Sequence, residues 1–255
     1  MSTTSNEEGL TGLVPPERIR PQPGRVSGEM IRRLDSVQDL SATVADILDG
    51  LGVESAVGAS ELKPSLPERR VIGTAVTVRK VAQRRAAALD AAASRADMGE
   101  IEGANQCRAG DVLVIQGLPG ISAMGGVMST MAKRQGVAGA VIDGGVRDLG
   151  HARAIGFPLW STHVTPVTGK WRSEVVEING AVTVHGRIVK PGDLVIADET
   201  GVVFVPQDLI EPVVQRVEAI ARAEQGFRSA LESDAPLYQL VRAYLKQRAA
   251  KGAAS

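Results

Sequence analysis

The densest cluster of chemically capable residues is DGGVRD, residues 143–148, which follows the apolar run AGAVI. Its two glycines let the chain turn sharply and let a ligand approach the backbone. Arg147 offers a planar fork that matches a carboxylate through two parallel hydrogen bonds. Asp148 offers a hard oxygen suited to Mg²⁺ or Mn²⁺. Together they are a pair that can hold a small 2-oxo acid on a divalent cation. The same two residues also read as a helix start, with Asp148 capping a helix that begins at Leu149. Residue type alone leaves both readings open.

A second feature precedes this cluster. The loop GLPGISAMGG, residues 117–126, opens onto VMSTMAKRQG. Glycines ahead of a helix start expose backbone N–H groups that can receive an anion. The loop lacks the Lys-Ser/Thr ending of a P-loop and the spacing of a dinucleotide fingerprint. Other chemistries find less support. His151, His163 and His185 form no HxxxH or HxH pair and read as surface or structural residues. Cys107 has no activating neighbour and reads as inert core. No GxSxG elbow is present. The candidate Schiff-base lysines, Lys80, Lys133, Lys170 and Lys190, read as lying in polar contexts or at turns, whereas that chemistry needs a desolvated amine. Cation-assisted chemistry is therefore the better match. Asp143 reads as a turn residue.

These residues need elements to position them. The apolar pattern of residues 36–52 is helical, and VIGTAVTVRKV is rich in β-branched residues and predicts a strand. Residues 82–98 are alanine-rich and read as a helix. AGDVLVIQG, AGAVIDGG and FPLWSTH then predict strands that alternate with helices at 125–136 and 149–155. This alternation implies βαβ units with ligands beyond the carboxyl ends of the strands, so the two glycine loops should share one sheet edge. From residue 174 the pattern changes to short strands with tight turns at Asn179-Gly180, Pro191-Gly192 and Thr200-Gly201. Helices follow over 208–224 and 237–246. The chain divides into a flexible N-terminal arm (1–35), one catalytic domain (36–206) and C-terminal helices that pack on it or on a neighbouring subunit (207–255).

The chain has 255 residues, enough for a sizeable core, and only 3% are aromatic, so Val, Ile, Leu and Ala must build that core. Lys plus Arg and Asp plus Glu balance at 29 each, which gives no electrostatic reason to expect a nucleic-acid or membrane partner. A single cysteine excludes an internal disulfide framework. No apolar run approaches a membrane span, and the N-terminus has no secretory pattern, so a cytoplasmic location is expected.

The runs VAGAVIDGGVRD and PGDLVIADETGVVFVP, together with GTAVTV and AGDVLVI, resemble the RraA-like family over residues 36–245. That family includes 4-hydroxy-4-methyl-2-oxoglutarate and 4-carboxy-4-hydroxy-2-oxoadipate aldolases. The resemblance implies an α/β/β/α sandwich with βαβ units and a C-terminal β-hairpin region. It implies a homotrimer or homohexamer with sites between subunits, and Mg²⁺ or Mn²⁺ as cofactor. It makes Arg147 and Asp148 catalytic, with Arg147 binding the substrate and Asp148 the metal. The amides of Gly125, Gly126, Val127 and Met128 would cradle pyruvate, and Glu224 of a neighbouring subunit would complete the metal site. The implied activity is a metal-dependent lyase of the class II pyruvate-aldolase or oxaloacetate-decarboxylase type, acting through a pyruvate enolate. The alternative is a non-catalytic regulatory or binding protein of the RraA type. One position departs from the aldolases: the acid they carry, separated from Arg-Asp by twenty residues, is here Gly126.

Overall fold

The computed structural model describes residues 9–96 and 98–252, with side chains through 246. Its organising element is one long strand, β3 (Val71–Ala82), shared by two sheets. The strands before it are β1 (Ala56–Gly58) and β2 (Lys63–Pro64). After it come β4 (Val112–Gln116), β5 (Ser122–Met124), β6 (Gly139–Val146) and β7 (Leu159–Val164). The last five are β8 (Ser173–Ile178), β9 (Val182–Val184), β10 (Arg187–Val189), β11 (Leu194–Ala197) and β12 (Gly201–Val205). The helices are α1 (Gly28–Asp35), α2 (Leu40–Gly50), α3 (Ala87–Ala92), α4 (Glu100–Asn105), α5 (Gly126–Arg134), α6 (Leu149–Ala154), α7 (Ile210–Leu231) and α8 (Leu237–Gly252).

The first residues of β3, Val71–Thr74, pair antiparallel with β11, which continues into β12 and β1. From Ala75 onward β3 pairs in parallel with β4, and β6 and β7 follow in parallel. The β4–α5–β6–α6–β7 run is the expected pair of βαβ units, and it brings the two glycine loops to one sheet edge.

Side-chain alternation along the strands builds four layers. On β4, Val112 and Val114 face a core between the two sheets, while Leu113 and Ile115 face the helices α4–α6. On β11, Val195 and Ala197 join the same inter-sheet core, while Leu194 and Ile196 face α1, α2 and α7. Strands covered on both faces must read as continuous apolar runs, which is how VLVI and LVIA read. Helices, sheet, sheet and helices thus stack around three cores, the expected α/β/β/α arrangement.

Several elements differ from the sequence reading. The alanine-rich stretch 82–98 is not one helix. Sheet pairing with β8 carries β3 through Ala82, and only Ala87–Ala92 turns helical. Alanine is the best helix former, but propensity is only a weak guide, and sheet pairing takes Ala82 out of the helix. A separate short helix, α4, follows at Glu100. The glycine loop contains a strand of its own, β5, which pairs with Gly145 and Val146 of β6. The C-terminal helix runs on to Leu231.

Within the expected N-terminal arm, Gly28–Asp35 is a helix whose Met30 N–H is capped by Ser27 Oγ at 3.2 Å. Ahead of it, Ile19 bridges Ile178, and Arg20 N–H donates to the Ile178 carbonyl at 2.9 Å. Residues 1–8 lie outside the described residues. Among the described residues no helix is long and apolar enough to cross a membrane.

Candidate functional site

Strand β6 carries DGGVRD to the edge of the sheet where the glycine loop also ends. The strand needs its glycines: a Cβ on Gly145 would lie 2.7 Å from the Ile121 carbonyl oxygen. Arg147 N–H then donates to the Met124 carbonyl at 3.0 Å, which locks β6 to the loop. Asp148 follows in the left-handed region, at φ 56°. It stands at the start of α6, as the helix-start reading expects, but its side chain makes no capping bond to that helix. Asp148 Oδ2 instead accepts the N–H of Gly126, the first residue of α5, at 2.9 Å. The carboxylate therefore caps the neighbouring helix, where its charge also meets the positive helix end. Arg147 Nε lies 3.5 Å from the same oxygen. Both side chains stay accessible, at 33% and 49% of their free surface.

The pair lines a cavity of about 230 Å³. Gly125, Gly126, Val127 and Met128 form one wall of it, so the structure brings the expected binding segment and the Arg-Asp pair together. The amides of Val127 and Met128 precede the first intrahelical bond of α5, Ser129 N–H to Gly125 O at 2.9 Å. Gly126 N–H is already held by Asp148. Met98, Ile101 and Met131 give the cavity an apolar side, and Lys170 and Glu100 add charge.

Glu100 was hidden from the sequence reading by the alanine-rich run before it. Lys170 reads as a turn lysine in the sequence, yet it reaches the cavity from the segment after β7. Lys80 corrects an expectation: its residue is only 3% exposed, and its Nζ donates to Glu100 Oε2 at 2.7 Å. It is therefore neither in a polar context nor at a turn, and its ammonium end is tied to a carboxylate.

Glu224 is not brought to this cavity within the chain. It lines a separate hollow on α7 with Val37, Glu218 and Arg228, so it could meet Asp148 only from another subunit. Asp143 lies within β6 rather than in a turn, and its Oδ2 accepts the His185 N–H of the β9–β10 hairpin at 3.0 Å. His163 Nε2 accepts the Gly120 N–H at 2.9 Å, which marks a structural imidazole. His151 Nε2 lies 2.9 Å from Thr130 Oγ1, and a Cβ on Gly126 would come within 3.3 Å of its ring. The imidazole thus borders the space a side chain at 126 would need. Cys107 is buried, and burial pushes its thiol well above the ordinary range, as an inert core thiol should be.

Among the described residues no group of three or more His, Cys, Asp or Glu is placed to hold a metal ion. In the cavity Asp148 offers a half-exposed hard carboxylate whose contacts with Gly126 and Arg147 are both made by Oδ2. That donor chemistry suits Mg²⁺ or Mn²⁺, which bind through one or two carboxylates and take their other ligands from water and substrate.

Comparison with known proteins decides the family. The model of the RraA-like family, Aldolase/RraA, matches residues 41–204. The chain belongs to the RraA-like family. Protein DlpA of Legionella pneumophila is 28% identical over 202 residues, which are 78% of this chain and 31% of that protein. The chain therefore spans less than a third of DlpA. A Halalkalibacterium halodurans protein, provisionally named 4-hydroxy-4-methyl-2-oxoglutarate aldolase, is 28% identical over 80% of this chain and 89% of its own length. The crystal structure of Streptomyces coelicolor RraAS2, described as an unusual member of the RNase ES inhibitor RraA protein family, matches with a TM-score of 0.68. It is 30% identical and covers 81% of this chain and 98% of its own. The sandwich described above is thus the RraA-like fold.

Proposed function

We propose that this RraA-like protein is a divalent-cation-dependent carbon–carbon lyase acting on a small 2-oxo acid, of the pyruvate-aldolase or oxaloacetate-decarboxylase type. The observation that carries the reading is the placement of Arg147 and Asp148, both accessible, on one cavity with the open amides of α5. Arg147 pairs with the carboxylate of the oxo acid. The amides of Val127 and Met128 orient its oxygens. Asp148 would hold Mg²⁺ or Mn²⁺, and such a cation would supply positive charge that favours enolate formation. The bond beyond C3 then breaks, and its electron pair passes into the keto group as a pyruvate enolate. Arg147 opposes the negative charge that builds there. Aldol cleavage and decarboxylation share this enolate, so one site serves both. The provisional aldolase name of the Halalkalibacterium relative supports the class of reaction. Glu224 of a neighbouring subunit joins the site in this reading, within a homotrimer or homohexamer.

The test is release of pyruvate from 4-hydroxy-4-methyl-2-oxoglutarate and from oxaloacetate by the full chain with Mg²⁺ or Mn²⁺. Pyruvate from either, lost in Asp148→Asn, supports the proposal. No pyruvate from both, with metal binding unchanged by Asp148→Asn, sinks it. A second reading, a regulatory binding protein, rests on Gly126: the position carries no acid, and His151 borders the space one would need. A stable macromolecular partner held by protein that binds no metal would favour it.

A further inference from the structure

The lyase reading leaves one chemical need unmet, a group that moves the proton. We infer that Glu100 is that group, with Lys80 holding it in place; this rests on the lyase reading. Glu100 begins α4, its side chain is 7% exposed, and the residue lines the Arg147–Asp148 cavity. Lys80 lies behind it, with 1% of its side chain exposed, and binds it at 2.7 Å.

The strand itself is arranged for this contact. The register of β3 against β8 shifts between Arg79 and Lys80. The extra residue of that shift lies on β8, and alternation along β3 keeps Lys80 on the face of Val76 and Val78, against which α4 packs. Arg79 reaches Glu177 at 3.0 Å, while Lys80 turns inward to Glu100. A buried ion pair is weak evidence for stability, because desolvation offsets most of its attraction. Placement of one on the wall of a reactive cavity asks for another reason.

The neighbouring acid shows the contrast. Glu102 accepts from Thr11 N at 2.7 Å, from Thr11 Oγ1, and from the side chains of Asn105 and Gln106 at 3.0 and 2.8 Å. Its carboxylate is consumed in anchoring the arm, and it does not line the cavity. Lys80 from β3 contacts Glu100, and the other charged groups lining the cavity are Arg147 and Asp148 from the end of β6 and Lys170 from the segment after β7.

The step balances on the substrate alone. Glu100 as carboxylate takes the proton of the C4 hydroxyl. The C3–C4 bond breaks, C4 becomes a carbonyl, and the bond's electrons form the enolate of pyruvate. Glu100, now protonated, returns that proton to C3. No oxidant or reductant is needed, and the carboxylate is regenerated.

The experiment follows exchange of pyruvate's C3 hydrogens for deuterium, read by NMR on the full chain with Mg²⁺ in D₂O, beside pyruvate affinity by calorimetry. Wild type is expected to bind and exchange. Glu100→Gln, whose amide oxygen can still accept from Lys80, is expected to keep pyruvate affinity within about threefold and to lose exchange by roughly 100-fold, the ordinary contribution of a general acid–base. Lys80→Met with Glu100→Gln removes both charges and guards against misfolding caused by an unpaired lysine. That double variant is expected to bind but not exchange. Exchange near the wild-type rate in either folded variant overturns the role of Glu100 and leaves the lyase reading standing. A wild type that binds no pyruvate and exchanges nothing overturns both.

Discussion

Gly125 lies hard against Asp148: a Cβ on Gly125 would stand 2.9 Å from Asp148 Oδ2, and 3.0 Å from Arg147 Nε. The backbone of Gly125 is extended, at φ −144°, which any residue adopts. Space, not strain, demands glycine. Gly125→Ala is therefore expected to fold with a near-native far-UV spectrum while displacing both side chains. Affinity for pyruvate or oxalate should fall at least ~10-fold, about 1.4 kcal/mol. Calorimetry giving an unchanged affinity would show that the pair does not bind the acid.

Asp148 holds two jobs that one substitution separates. Asparagine tolerates the left-handed backbone, and its amide oxygen can still accept from Gly126 N–H. Asp148→Asn should thus keep the cap on α5 and lose only the charge. Mn²⁺ binding, followed by electron paramagnetic resonance, is expected to vanish at concentrations that saturate the wild type. Thermal stability without metal should barely move.

Arg147→Lys keeps the charge but loses the planar fork. The KM for the oxo acid is expected to rise roughly 10–100-fold, the value of about 1.5–3 kcal/mol for a hydrogen bond to a charged group. Steady-state kinetics with pyruvate detection measures it, and an unchanged KM counts against carboxylate binding by Arg147.

Glu177 ties the arm to β3 through Arg20 and Arg79, both at 3.0 Å. The hydrogen bond from Arg20, then that from Arg79, hold its carboxyl below the usual range against some desolvation. A folded-state value below the unfolded one stabilises above the ordinary glutamate range, and that contribution is lost as pH falls through the lowered value. Hydrogen-exchange protection of the Arg20 amide should hold steady from neutral pH down to the ordinary carboxylate range and fall below it. In Glu177→Gln that fall should disappear.

Trp160 fills the core between the sheets with no exposed surface, and its Nε1–H donates to the Asp198 carbonyl at 2.8 Å. Trp160→Phe removes the donor and some volume. A loss of about 1–3 kcal/mol is expected from urea unfolding, with metal binding unaffected.

Much of this architecture was legible because strands covered on both faces have no polar side to disguise them. VLVI, AGAVI and LVIA announce themselves as buried strands, and the glycine-rich turns mark their carboxyl ends. That also made the Arg147–Asp148 cluster visible, since ligands gather at such ends. The stretch 82–98 differs from its composition because alanine favours helix locally, yet Ala82 pairs with β8 and only Ala87–Ala92 turns helical. Lys170 was passed over because a lysine after glycine looks like any surface turn.

Residue types and their order determined the family, the βαβ run and the pair at 147–148. The tertiary structure alone decided what that pair touches. Asp148 caps α5 rather than its own helix, because folding β5 onto β6 brings Gly126 to its carboxylate. Lys80 and Glu100 meet because α4 packs on the face of β3 that carries Val76, Val78 and Lys80. Such contacts depend on where separate elements come to rest, and no local pattern in the chain encodes that distance.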